Sequence, residues 1–302
     1  MRREGDAAMG TVSQIADRHA TAITTAVPAC VGRGAMGSLR NTSYPTVYTS
    51  YPTDAMCSSC IAKNKRSQWG EDRRLLAELA AATGGFMHAG TFVEIGALDG
   101  VWLSNTHLYE KCFGWHGLLI EASEINFRKL VKSGRSNSAF VHSAICAGQP
   151  KNVTMIHGAR GQTSTELSQS EAASKGHSVR AHQVQCRSMT AILADHGLTH
   201  PTWLSLDVEG AEMNVLSAVD PTVFDVILVE WGPDGRRNSL VAELLSGAGM
   251  RFLRQWTVSK VATGGRSRVY GNPAFTRRWE RFTRQTVGHV PSLPVYERNR
   301  RL

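Results

Sequence analysis

The stretch from Thr91 to Ser123 constrains this chain most. An apolar run ends in Glu94-Ile95-Gly96-Ala97-Leu98-Asp99-Gly100, and one helix length later a second run, Leu118-Leu119-Ile120-Glu121, stops on a carboxylate. The first run reads as a buried strand breaking into a glycine turn, and the second as its neighbouring strand. Open α/β sheets hold nucleosides this way: glycine lets the backbone approach the ligand, and a strand-end acid accepts hydrogen bonds from the ribose hydroxyls. Glycines at 96 and 100 give G-x-x-x-G, whereas a dinucleotide pyrophosphate wants G-x-G-x-x-G. A nucleoside without a pyrophosphate points to S-adenosylmethionine.

The second constraining run is Leu204-Ser205-Leu206-Asp207-Val208-Glu209-Gly210-Ala211-Glu212. It gathers three carboxylates where a strand ends and a helix begins, the rim on which such sheets place ligands. Acids in a first helical turn also favour the helix dipole. Asp207 precedes that turn, at the end of an apolar strand where an uncompensated charge is costly. Glu230 ends another buried run, Asp225 to Trp231, and adds an acid to the same rim.

Between and around these motifs strands and helices alternate, which implies a parallel sheet covered on both faces. Glu71 to Ala82 reads as one amphipathic helix. Further strands are expected at 116–121, 139–146, 152–157 (beside 139–146), 184–187 and 202–208, with a closing antiparallel pair at 252–258 and 268–270. Ser104 is expected to cap the helix that follows it, and Ser123 the next. Gly158 to His182 has turn chemistry and few core residues, the composition of a long binding loop or lid.

The ends differ from this domain. Residues 251–302 hold twelve of the 34 Lys and Arg but only Glu280 and Glu297 as acids, so the net charge of +9 originates there. The expected division is therefore a mobile N-terminal extension at 1–66, the catalytic domain at 67–272 and a basic C-terminal tail at 273–302. A basic tail suits an anionic partner, yet no nucleic-acid motif accompanies it. The six cysteines include Cys57-Ser58-Ser59-Cys60, half a zinc site at most. Cys112, Cys146 and Cys186 read as core residues packing like small hydrophobes. Asn41-Thr42-Ser43 and Asn152-Val153-Thr154 fit the glycosylation sequon. No run approaches a membrane span and no apolar core of a secretion signal is present. A soluble, cytoplasmic protein is expected, with organellar import as the alternative.

Taken in order, Gln68-Trp69-Gly70-Glu71-Asp72, the 92–100 run, Ser104-Asn105-Thr106, Gly114-Trp115-His116-Gly117-Leu118-Leu119-Ile120-Glu121 and the 206–212 run resemble the FkbM-type S-adenosylmethionine-dependent methyltransferases. The likeness extends from about Gln68 to Tyr270. It implies a class I methyltransferase (Rossmann-like) three-layer sandwich, a seven-stranded, mostly parallel sheet with one antiparallel strand, and O-methylation of a hydroxyl on a sugar or other small molecule. By this resemblance Glu94, Gly96, Asp99 and Gly100 line the methionine end of the cofactor, with Asn105 and Asp207 among its contacts. Glu121 holds the ribose with Ala122 beside it, and Ser143 and Ala144 flank the adenine. Two departures are Trp102, bulky in a loop where smaller residues are usual, and Ala122, where proline is common.

A hydroxyl is a poor nucleophile and needs help in losing its proton. Asp207 and Glu209 are the candidate catalytic residues, with His157 and His177 as lesser ones. A divalent metal on Asp207 and Glu209 is an option without a complete ligand set. The expected acceptor is a small molecule or glycan. Two competing readings are another nucleotide-cofactor enzyme and a non-catalytic Rossmann-like module acting through its basic C-terminal segment.

Overall fold

The computed structural model describes residues 36–38, 50–52, 55–83, 90–157, 163–164, 180–232, 234–257 and 266–287. In chain order, a short antiparallel pair, β1 (Met36–Ser38) and β2 (Ser50–Pro52), precedes helix α1 (Ala55–Asn64) and two short helices, α2 (Glu71–Arg74) and α3 (Leu76–Ala82). The main alternation follows: β3 (Thr91–Ile95), α4 (His107–Phe113), β4 (His116–Glu121), α5 (Glu124–Leu130) and β5 (Ser138–His142). A side excursion comprises β6 (Ala144–Ile145), β7 (Lys151–His157), β8 (Thr163–Ser164) and β9 (Arg180–Arg187). The chain returns through α6 (Met189–Asp195), β10 (Trp203–Leu206), α7 (Glu212–Leu216), β11 (Val226–Glu230) and α8 (Gly235–Gly247), and ends in β12 (Arg251–Thr257), β13 (Arg266–Gly271) and α9 (Pro273–Val287).

Seven strands form the main sheet in the order β12-β13-β11-β10-β3-β4-β5. β13 runs antiparallel to both neighbours, while the pairs among β11, β10, β3, β4 and β5 are parallel. The central strands are apolar throughout because both faces are covered. Val93, Ile95, Leu118, Ile120, Leu204 and Leu206 pack on one face, and Phe92, Leu119, Trp203, Val226 and Leu228 on the other. This is the three-layer, seven-stranded sheet with one antiparallel strand that the sequence implied. From β3 the chain steps outward to β5, then returns to lay β10 on the other side of β3. The strand order reverses there, and the crevice of an open α/β sheet lies at such a switch point.

Several expectations need correction. The strand expected over 139–146 divides: after His142 the chain leaves the main sheet, and Ala144–Ile145 pairs with β9 in a separate four-stranded sheet of order β6-β9-β7-β8. The strand expected over 152–157 therefore does not lie beside the 139–146 run; it pairs antiparallel with β9. The strand expected at 184–187 starts earlier, at Arg180, because β7 offers it seven paired residues. The helix expected over 71–82 breaks at Leu75, although Leu75, Leu76 and Leu79 are buried as their spacing requires. Most of the expected lid over 158–182 lies outside the described residues.

The cysteines are not free. Cys60 bonds Cys112 and Cys146 bonds Cys186, each with Cα atoms 5.7 Å apart, and Cys57 is disulfide-bonded as well. The first bridge fastens α1 to α4, and Cys57 and Ile61 of α1 are buried in the same core as Phe113 and Trp115. Residues 55–64, which the sequence reading assigned to a mobile extension, thus pack on the domain. The signal missed was apolar spacing: Cys57 and Ile61 lie four residues apart, on one helix face.

The C-terminal segment also begins as a docked helix. Asn272 caps α9, accepting from the Phe275 N–H at 2.6 Å while its amide donates to the Thr222 carbonyl at 3.1 Å. Phe275 is fully buried, Trp279 stacks near it, and Arg278 pairs with Asp225 at 2.6 Å. Arg277 and Arg281 remain exposed, and Val290, Leu293 and Val295 lie outside the described residues. Among the described residues no helix is long and apolar enough to cross a membrane. Phe275→Ala is expected to destabilise the protein by about 3–5 kcal/mol, read from urea unfolding; an unchanged midpoint would show that α9 is not part of the folded unit.

Candidate functional site

A cavity of about 560 Å³ opens at the carboxyl ends of β3, β4, β10 and β11, with the small side sheet as one wall. Of the residues assigned from the sequence, Glu94, Gly96, Asn105, Glu121, Ala122, Ser143, Ala144, Asp207 and Glu209 line it. Asp99 and Gly100 are not part of its wall.

Gly96 makes the crevice. Its φ of 81° lies in the left-handed region, and a Cβ there would come within 1.8 Å of the Asp207 carbonyl oxygen. Only glycine lets the turn after β3 pass this close to the turn after β10, where the Asp207 N–H donates to Ile95 at 3.2 Å.

Beyond Gly96 the loop is built by carboxylates. Glu94 Oε2 accepts from the hydroxyls of Ser104 and Thr106, both at 2.7 Å, and Oε1 from the Asn105 N–H at 2.7 Å. Glu94 therefore anchors the loop. Asn105 turns its amide to Ser205 Oγ at 2.9 Å, bridging to β10. Thr106, not Ser104, occupies the N-cap position of α4, although Ser104 Oγ does accept from the His107 N–H at 3.1 Å.

Asp99 and Gly100 hold the loop rather than the cavity. Asp99 Oδ1 accepts from the N–H groups of Val101 and Trp102 at 2.9 and 2.7 Å. The Gly100 carbonyl accepts from buried Arg135 at 2.8 Å, and a Cβ at Gly100 would meet Leu130 at 2.5 Å.

Glu121 is 2% exposed and accepts from the backbone N–H groups of Leu98 at 2.8 Å and Ser123 at 2.7 Å, with Ala122 a third donor. Burial raises its pKa to about 7 against these bonds. A carboxylate offers about four lone-pair sites, so acceptor capacity remains for a donor in the cavity. Ser143 Oγ donates to the carbonyls of Ala144 and Gln185, tying the end of the main sheet to the side sheet.

The acidic rim is more tightly coupled than its spacing reveals. Burial, then the neighbouring Glu230 and Glu209 carboxylates, raise the Asp207 pKa far above its usual value, and Asp207 and Glu230 share a hydrogen bond. Glu230 is raised by burial and by the charges of Glu209 and Glu212. Glu209 holds a left-handed φ of 51°, uncommon without glycine and met at functional sites. Glu212 turns away: it accepts from the Gly210 N–H at 3.0 Å and faces Arg237 at 3.3 Å. Among the described residues no three His, Cys, Asp or Glu side chains are grouped to hold a metal ion. His157 ends β7, and His177 lies outside the described residues.

The sequence reading placed Glu230 on the rim but gave it no role, and it did not see the side-sheet wall of Lys151, Val153, Met155 and the Cys146–Cys186 bridge. The strand alternation of 151, 153 and 155 was the available signal, without a means of knowing which face met the cavity. Gly96→Ala is expected to cost about 2–4 kcal/mol, combining left-handed strain with the clash, measured by urea unfolding. Because the folded pKa of Glu121 is raised, its protonated form favours folding below about 4.5, and that contribution is lost as pH rises through about 7. Stability is expected to fall across that window, and Glu121→Gln to flatten the fall in a series of denaturation curves.

The methyltransferase FkbM domain matches residues 94–254, more than half of the chain. No curated protein matches it. Solved structures are similar only distantly. The METTL16 methyltransferase domain is 9% identical, with 64% of each chain covered and a TM-score of 0.41. A putative RNA methyltransferase from Pyrococcus horikoshii is 9% identical over 69% of this chain and 86% of its own, at 0.40. M. capricolum TrmK in complex with S-adenosylhomocysteine is 5% identical over 65% of this chain and 67% of its own, at 0.39. Likeness at this level carries no argument about substrate. The matched domain spans the glycine turn, both strand-end acids and the carboxylate rim, and the chain belongs to the FkbM methyltransferase family.

Proposed function

We propose that this protein binds S-adenosylmethionine in the cavity and transfers its methyl group to a hydroxyl of a sugar or other small molecule. The observation that carries the reading is the convergence, at one switch point, of the Gly96 turn, the buried Glu121 carboxylate and the Asp207–Glu230 pair around a single cavity. The residues fit the cofactor: the volume suits a nucleoside with an amino-acid tail, Glu121 retains lone pairs for a ribose diol, and Ser143 and Ala144 lie where a base would meet the side sheet.

S-adenosylmethionine supplies an electrophilic methyl on a sulfonium centre. The chain's part is to align an acceptor oxygen with that methyl and receive its proton. Alignment of reactants contributes on the order of 7–11 kcal/mol. Asp207 is the protonated member of its pair, so Glu230 carries the negative charge that faces a donor hydroxyl, with Glu209 beside it. In this reading Asp207 orients the acceptor and keeps Glu230 ionised. Glu209 serves as the second proton acceptor. No step requires a metal from these side chains.

Two disulfides and a bonded Cys57 support maturation in an oxidising compartment, in place of the cytoplasmic location expected from the sequence. Calorimetric titration with S-adenosylmethionine and transfer of a labelled methyl group to a panel of hydroxyl compounds test the function; absence of cofactor binding would end it. Asp207→Ala, which removes the donor to Glu230, is expected to lower turnover at least tenfold, about 1.4 kcal/mol of barrier, while cofactor affinity changes far less. Equal turnover in the two proteins would remove Asp207 from the chemistry.

A further inference from the structure

Trp102 is the most exposed large hydrophobic side chain among the described residues, at 57%, and it stands on the wall of the cavity. Its loop is held at every step. Asp99 accepts from the Trp102 and Val101 N–H groups, the Gly100 N–H donates to Ala97 at 2.8 Å, and Arg135 takes the Gly100 carbonyl. Leu98 and Leu103, on either side, are forced into left-handed backbone with φ of 50° and 61°. Left-handed strain in non-glycine residues persists only where the surroundings impose it. The loop thus spends strain and a buried cation to present an indole to solvent at the mouth of a site, when an inward turn would bury its large apolar area.

We propose that Trp102 is the acceptor platform: its indole face stacks on the apolar C–H face of an uncharged pyranose ring and turns one ring hydroxyl toward the Asp207–Glu230 pair. This rests on the methyl-transfer reading and deepens it. Ring C–H groups carry partial positive charge and are drawn to the negative face of an aromatic ring. The hydroxyl edge of the same ring donates to carboxylate oxygens, which accept without donating when ionised. The charge at the mouth selects among candidates for the platform. Glu209 and Glu230 carry negative charge on the rim toward which the ring hydroxyl turns, with Lys151 across from them on the side-sheet wall, so a phosphorylated sugar or a nucleotide, although it also offers a stackable ring, meets like-charge repulsion at that rim. A neutral sugar does not.

Saturation-transfer NMR on the full chain decides this, using methyl β-glucopyranoside, methyl α-mannopyranoside and methyl α-rhamnopyranoside, with sorbitol, glucose 6-phosphate and uridine monophosphate for comparison. The expected result is saturation concentrated on the C–H protons of one face of at least one neutral pyranoside, and little on the acyclic or phosphorylated compounds. Trp102→Ala is expected to weaken that binding about tenfold and to raise the acceptor KM with a smaller change in kcat, while Trp102→Phe retains most of it. The side chain is exposed, so both variants are expected to fold and to keep wild-type affinity for S-adenosylmethionine. Pyranoside binding that is indifferent to Trp102→Ala, no binding by any pyranoside, or preferred binding of uridine monophosphate overturns the platform. Loss of cofactor binding in the wild type overturns the methyl-transfer reading instead, and the NMR result stands apart from it.

Discussion

The carboxylate of Glu94 is the contact on which the rest of the site depends. It sits on the central strand β3, in register with Ser205 of β10 and Leu119 of β4, and its two oxygens take the Ser104 and Thr106 hydroxyls and the Asn105 N–H. Arg135 completes the arrangement, bonding Ser104, Thr106 and the Gly100 carbonyl and pairing with Glu110 at 2.7 Å. Burial opposes ionisation of Glu110, yet Arg135 brings its carboxyl below the usual range. Glu110 and Arg135 thus compensate one another while Glu94 is held by three hydrogen bonds, and removing one partner of the buried pair leaves an uncompensated charge worth about 3–5 kcal/mol. The loop over 96–106, with its glycine turn and Trp102, is fixed by this network and not by apolar packing.

A second set of constraints closes the cavity from the other side. Ser143 follows β5 and hands the chain to the side sheet, where Cys146–Cys186 joins the residue after β6 to β9. The bridge and the Val153–Val184 contact supply a small core for the wall, against which Ala122 packs from the end of β4. The Cys60–Cys112 bridge does similar work at the other end, closing a 52-residue separation between α1 and α4. In the chain-entropy account a loop of that length is worth about 4 kcal/mol. Together the bridges hold the elements that flank the cavity against a sheet whose core is already complete.

The acidic rim shows why a cluster of carboxylates can be read from sequence while its chemistry cannot. Asp207 and Glu209 are two residues apart and visible at once. Glu230 is 23 positions further on, and it meets Asp207 only because β10 and β11 are parallel neighbours with Leu206 opposite Val229. That pairing sets two buried acids side by side, where burial and the Glu230 charge raise the Asp207 pKa.

The sequence by itself determined the sheet, the glycine turn and the strand-end acids, because these depend on local patterns: apolar runs of strand length, a residue free of Cβ, a carboxylate where a run stops. It also determined the boundaries of β4 to the residue. What only the tertiary structure decided were relations between distant residues. They include the departure of the chain after His142, the docking of α1 through Cys57 and Ile61, the disulfide pairing, and the assignment of Glu94, Asp99 and Gly100 to holding a loop. A carboxylate on a buried strand end has the same letter whether it meets a ligand or three donors of its own chain. Which one it meets is fixed by what folds against it, over separations that no sequence window spans.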